Sequence, residues 1–216
     1  MPTSSLERRQ WLIGAAAALA TPQLAHLAAA ASPPIVTPGQ TEGPFYPVRF
    51  PADMDADLVR VKGQAAQAVG QVTHIFGRIL DRQGEVVRGA TVEIWQCDAQ
   101  GIYSHPGDSG HKRHDAAFQG YGRVQVDAAG RYAFRTIRPV AYPGRTPHIH
   151  FKVHAPGIGR LTTQMYVAGE RLNTTDGPLN GIRDRKARDT LIVALAEAGD
   201  LEAGALKGTF DIVLAV

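Results

Sequence analysis

Residues 145–151 read RTPHIHF, with two histidines one residue apart. Side chains on a strand alternate between faces, so His148 and His150 share one face while Ile149, Phe151 and Val153 share the other. Same-face neighbours lie about 6.6 Å apart along a strand. From there both imidazoles can lean onto one metal ion at about 2.1 Å each. His154 falls on the same face, further along, at what reads as the exposed end of the strand. The same pattern also suits a half-buried strand whose polar face carries histidine, so the remaining ligands decide. A ferrous oxygenase wants a carboxylate beside its two histidines. The nearest acidic residues, Asp127 and Glu170, both lie near turns. A zinc hydrolase more often shows a third histidine or a glutamate at recognisable spacing. What lies close instead is tyrosine: Tyr142 in RPVAYPGR and Tyr103 in DAQGIYSH.

Other reactive side chains read more plainly. His105, His111 and His114 fall in SHPGDSGHKRH, where Gly, Pro, Asp and Ser point to a solvated surface loop. His74 reads as a half-buried strand residue. Trp95 and Phe118 read as core or loop-packing residues. Cys97 is the only cysteine, so no intramolecular disulfide can form, and a lone cysteine in a strand-like run behaves as a small buried hydrophobe.

The elements that must position the tyrosines and histidines are short β-runs. QVTHIFGRILD, ATVEIWQCD, YGRVQVD, RYAFRTI, HIHFKV, LTTQMYV and GTFDIVLAV are separated by glycine-containing turns and loops. Strands at this spacing predict a mainly β fold, an antiparallel sandwich over residues 71–216. One helix is expected over residues 183–198, RDRKARDTLIVALAEA, before Gly199. Residues 32–70 begin with SPPIVTPGQTEGPFYPVRFP, whose prolines favour an extended arm and linker.

The chain has 216 residues with a formal net charge of +3 and no basic run of the kind that binds nucleic acid. Residues 1–31 place Arg8 and Arg9 before a modest apolar run, Trp11 to Ala20, and then an alanine-rich stretch. This layout predicts an export signal of the twin-arginine type. The expectation is a periplasmic or extracellular protein. The run is too weakly apolar for a membrane anchor, since a span needs about 20 strongly apolar residues.

Taken together, TEGPFYP, VEIWQ followed by GIYSH, FQGYGR, GRYAFRTIRP, PHIHF and LTTQMYVAGE occur in one order over most of the chain beyond residue 40. In this the chain resembles the intradiol ring-cleavage dioxygenases, non-haem ferric enzymes that open catechols between the two hydroxyl-bearing carbons. The resemblance implies Fe(3+) as cofactor, held by Tyr103, Tyr142, His148 and His150. It implies a catechol-type substrate and dioxygen as partners, and a muconate-type diacid as product. It assigns Tyr142 a proton-accepting role, Arg145 a charge beside the reacting ring, and Gln164 a supporting polar position. Pro44 and Tyr46 match a segment near the substrate mouth. Related enzymes form dimers or larger assemblies, so a homo-oligomer fits the resemblance. The loop between Tyr142 and His148, PGRTP, is shorter than in familiar protocatechuate and catechol enzymes, which leaves the substrate open. Two other readings compete: a non-catalytic β-sandwich module binding aromatics or glycans, and a zinc or copper enzyme built on the two histidines alone.

Overall fold

The computed structural model describes residues 33–216; the segment read as an export signal, 1–31, lies outside the described residues. Two five-stranded sheets are present. The first is built around β1 (Val72–Leu80), which pairs antiparallel with β4 (Arg131–Ile137) and parallel with β9 (Leu206–Thr209) and β10 (Ile212–Val213), while β8 (Ala196–Glu197) joins the edge through β9. The second has the order β3 (Tyr121–Gln125), β2 (Thr91–Trp95), β5 (His148–Ala155), β6 (Gly159–Val167), β7 (Ile192–Val193). The mainly β architecture agrees with the strand pattern. The sheets are mixed, however, because β7, β9 and β10 pair in parallel with their neighbours.

The helix expected over 183–198 is a correction. Only α2 (Arg185–Asp189) forms, started by Asp184, whose side chain accepts from Lys186 N and Ala187 N. A second short helix, α1 (Gly177–Asn180), precedes it, capped by Asp176. Beyond Thr190 the apolar run becomes β7 and β8. Ile192 and Val193 are β-branched and find an open edge beside Tyr166 and Val167 of β6. Edge pairing and burial of Leu191 outweigh the modest helix propensity of that run.

Between the sheets lies the main core, with Ile75, Ile79, Ile94, Phe134, Ile149, Phe151, Val153 and Phe210 all buried. The two faces of β5 are both covered. Ile149, Phe151 and Val153 enter this core, while His148, His150 and Lys152 on the opposite face are buried too. Residues 33–70 run as turns and extended chain with one isolated bridge, Asp57 to Arg135. Their segment 41–50 lies over the second sheet, where Phe45 and Tyr46 join an aromatic cluster with Trp95, Tyr103 and Tyr121.

One close approach holds β1 to the C-terminal strands. A Cβ on Gly77 would overlap the Phe210 carbonyl oxygen and stand 2.6 Å from the Tyr132 hydroxyl oxygen. That hydroxyl donates to Phe210 O, and burial keeps it neutral by raising its pKa. Gly77→Ala must therefore push backbone apart, and is expected to lower unfolding free energy by about 1–3 kcal/mol or more in urea titrations.

Candidate metal centre and its surroundings

His148 and His150 leave β5 on the same face, as strand alternation requires, and their Nε2 atoms face each other at 3.2 Å. Two bonds of about 2.1 Å meeting near a right angle would place ligand nitrogens about 3 Å apart. His148 Nδ1 lies 2.7 Å from the Thr146 carbonyl oxygen, an acceptor, so Nδ1 carries the proton and Nε2 the lone pair. Burial first, and then the Arg145 charge, hold the His148 pKa down at about 4. Burial, His148 and Arg145, in that order, keep His150 well below the usual imidazole range. Both rings are therefore neutral, the form that binds metal. The His150 ring is fixed by Trp95, stacked on it with centroids 4.7 Å apart and planes 8° from parallel.

Tyr103 and Tyr142 complete the group. Their rings meet edge to face at 5.7 Å, and the Tyr142 and His148 centroids are 5.4 Å apart. Tyr103 is buried, its hydroxyl has no hydrogen-bond partner, and its ring lies 6.4 Å from His150. A buried phenol without a partner is costly, and such an orphan calls for an occupant. Burial first, then Cys97 and Tyr142, push the Tyr103 hydroxyl well above the ordinary phenol range. Tyr142 is only half-buried; burial raises it too, opposed by Arg145. The protein alone thus keeps both phenols neutral, and only a bound multivalent cation would ionise them. Two neutral imidazoles at ligand spacing, with an orphaned phenol beside them, fit one metal ion.

Arg145 and Gln164 form the polar wall. Arg145 Nη1 reaches the Tyr142 oxygen at 3.5 Å, Nε donates to Asp176 Oδ2 at 2.8 Å, and Nη2 donates to Gln164 Oε1. Burial works against the Arg145 charge, but the Asp176 carboxylate outweighs it and raises the pKa. Gln164 also donates from Nε2 to the Thr41 carbonyl at 3.0 Å, so the same side chain serves the site and ties down the arm backbone. The Tyr166 hydroxyl donates to Gln40 Oε1 at 2.9 Å and approaches Gln164 Oε1 at 3.1 Å.

All four predicted donors, with Arg145 and Gln164, come together. Of the mouth candidates, Pro44 is exposed, whereas the Tyr46 hydroxyl is turned into the protein and donates to Glu93 Oε2 at 2.8 Å. The three loop histidines are less solvated than their composition suggested. His105 is buried and accepts from Gly107 N at 2.9 Å, because the loop folds back around Asp108, which caps Tyr103 N and Gly110 N. Among the described residues, no group of three or more His, Cys, Asp or Glu is arranged to hold a metal. His154 is half-buried, with Nε2 3.1 Å from Glu93 Oε1, rather than free at a strand end. Sequence reasoning missed Asp176, Phe45 and the role of Trp95. Asp176 carried a signal, since an Asp before Gly-Pro reads as a helix N-cap, but nothing local linked it to Arg145.

Fold and site define a mainly β, two-sheet domain that brings two phenols and two imidazoles together at one place. A family model described as Dioxygenase matches residues 41–216. The protocatechuate 3,4-dioxygenase beta chain of Burkholderia cepacia is 38% identical over 179 residues, 79% of this chain and 76% of that one. A hydroxyquinol 1,2-dioxygenase of Corynebacterium glutamicum is 31% identical over 149 residues, 60% of this chain but 48% of that enzyme. Among solved structures, the dioxygenase domain of a dioxygenase carbohydrate-binding fusion from Streptomyces sp. SirexAA-E is 34% identical, with a TM-score of 0.65 over 84% of this chain and 99% of that one. An intradiol ring-cleavage dioxygenase from Tetranychus urticae shares the fold at 22% identity, with a TM-score of 0.65 over 84% of this chain and 95% of that one. The chain belongs to the intradiol ring-cleavage dioxygenase family, whose enzymes open catechol-type rings and use non-haem iron.

Asp176 holds Arg145 through its charge and α1 through its geometry. Asp176→Asn keeps an acceptor oxygen for Leu179 N but removes the charge. Its amide NH2 then faces two donors, Arg145 Nε and Thr146 N, so the variant is expected to melt lower than wild type and to lose about 10–100-fold in kcat/KM.

Proposed function

We propose that this protein is an exported ferric enzyme that inserts both atoms of dioxygen into a catechol-type ring, cleaving between the hydroxyl-bearing carbons to give a muconate-type diacid. The observation that carries this reading is the convergence of the His148 and His150 Nε2 atoms, 3.2 Å apart, beside the orphaned hydroxyl of Tyr103. Tyr103, Tyr142, His148 and His150 would hold the iron. Two phenolates offset much of a +3 charge, so this donor set favours the ferric state. Bound iron supplies a Lewis acid on the catechol oxygens.

The chain's own residues divide the remaining work. Tyr103, deeply buried and without a partner, would be the donor that stays on the metal. Tyr142, half-buried beside Arg145, would accept a catechol proton on its phenolic oxygen. Arg145, charged and braced by Asp176 and Gln164, provides fixed positive charge where negative charge develops on the ring. Trp95 and the arm segment 41–46 keep bulk water from the histidine side.

The loop after Tyr142 is short, PGRTP, and a short lid supports a range of substituted catechols rather than one. The Arg8-Arg9 pair and the apolar run behind it support export, so substrates would be met outside the cytoplasm.

Product analysis tests the reading. The exported fraction of producing cells, offered a panel of catechols under labelled dioxygen, is expected to yield intradiol diacids carrying two labelled oxygens. His148→Ala is expected to lose bound iron and activity together. An extradiol product, or no product from an iron-loaded preparation, would refute the proposal.

A further inference from the structure

β5 carries a third buried side chain on the histidine face, that of Lys152. An ammonium in such a position is costly unless a charge or a ring meets it. Both partners come from the arm. Nζ is ion-paired with Glu42 and stands 3.4 Å from the centre of the Tyr46 ring. Directly across on β2 the register partner of Lys152 is Glu93, a buried carboxylate. Glu93 accepts the Tyr46 hydroxyl at 2.8 Å, and its Oε1 lies 3.1 Å from His154 Nε2. Burial and this hydrogen bond raise the Tyr46 pKa, so it stays a neutral donor. The two buried charges of neighbouring strands thus both reach up to one segment of arm.

What lies between the two anchored residues gives the contacts their meaning. Gly43 adopts a φ of +72°, and a Cβ there would stand 3.4 Å from His150 Cε1, so the arm backbone rests on the imidazole. Phe45 stacks on Tyr103 with centroids 4.6 Å apart. Tyr46 packs edge-on against Trp95 at 5.0 Å, and Trp95 is the ring that backs His150. The ion pair alone would hold weakly, because the Glu42 side chain is 44% exposed. The ring beneath the ammonium is the stronger grip, since a desolvated cation over an aromatic face is worth more than an exposed pair. A methionine or leucine would fill the same space without any tie to the arm.

The geometry points to Lys152 as a positioning residue: its ammonium, bound to Glu42 and seated on the Tyr46 ring, clamps arm segment 42–46 against His150 and Tyr103 and so sets one wall of the catechol site. This rests on the reading of the site given above. The Lys152 ammonium meets Glu42 and the rings of Tyr46 and Trp95 rather than the four donors. It acts through the arm, and its loss should loosen substrate binding more than the chemistry.

Limited chymotrypsin digestion of the purified protein tests this without iron or substrate, read at the Phe45–Tyr46 bond, where both side chains are packed down. Lys152→Met is expected to speed cleavage there by about tenfold, with sites in β1 and β4 cut no faster. Glu42→Gln should move the same cleavage in the same direction, and Lys152→Arg should keep it slow. In steady-state assays Lys152→Met should raise KM for a catechol several-fold more than it lowers kcat, at wild-type iron content. Cleavage of the Met variant at the wild-type rate would overturn the proposal, as would acceleration spread evenly over both sheets. Because digestion is read on the protein alone, it decides the role of Lys152 even where no ring cleavage is found.

Discussion

The structure depends on burying both faces of one strand. β5 sends Ile149, Phe151 and Val153 into the core between the sheets and His148, His150 and Lys152 beneath the arm. Burial strips the imidazoles of water and keeps them neutral. Trp95 then fixes the plane of His150 and the Thr146 carbonyl fixes the tautomer of His148, so the two Nε2 atoms are held 3.2 Å apart, the spacing of neighbouring metal ligands. Tyr103, also buried and without a partner, adds a demand for an occupant. The stability of the scaffold comes from the apolar face of β5, and its chemistry from the other.

Charge around the centre is distributed to match. Arg145 directs its charge at Tyr142, and its place is set from behind by Asp176 and from the side by Gln164. Gln164 ties this wall to the arm at Thr41, and Gln40 does so again through Tyr166. On the far side Lys152 and Glu93 fasten the same arm at Glu42 and Tyr46. The arm is therefore stitched down on both flanks of the donors, by polar groups that would be costly to bury without it.

Much of the site was legible because its pieces are local. Strand alternation alone puts His148 and His150 on one face, and the β-runs between turns give the sheets. The two tyrosines became meaningful only through the family resemblance, since tyrosine is an ordinary strand residue. Asp176 was hidden because it meets Arg145 across a long stretch of chain while looking like a helix cap. The stretch 183–198 misled because an apolar run with charged flanks reads as an amphipathic helix, and only the open edge of β6 turns it into strand. Likewise the prolines of the arm announced extended chain but not what it would cover. The burial of His105 followed from a loop folding back on Asp108, which composition does not reveal.

The central claim is that one ferric ion is joined to both phenols as phenolates, and visible absorption of the ferric-loaded protein tests it most directly. The account predicts a wine-red protein with a tyrosinate-to-iron charge-transfer band that weakens and shifts in Tyr103→Phe and in Tyr142→Phe. A folded, iron-loaded protein without colour, or a band indifferent to both substitutions, would contradict it.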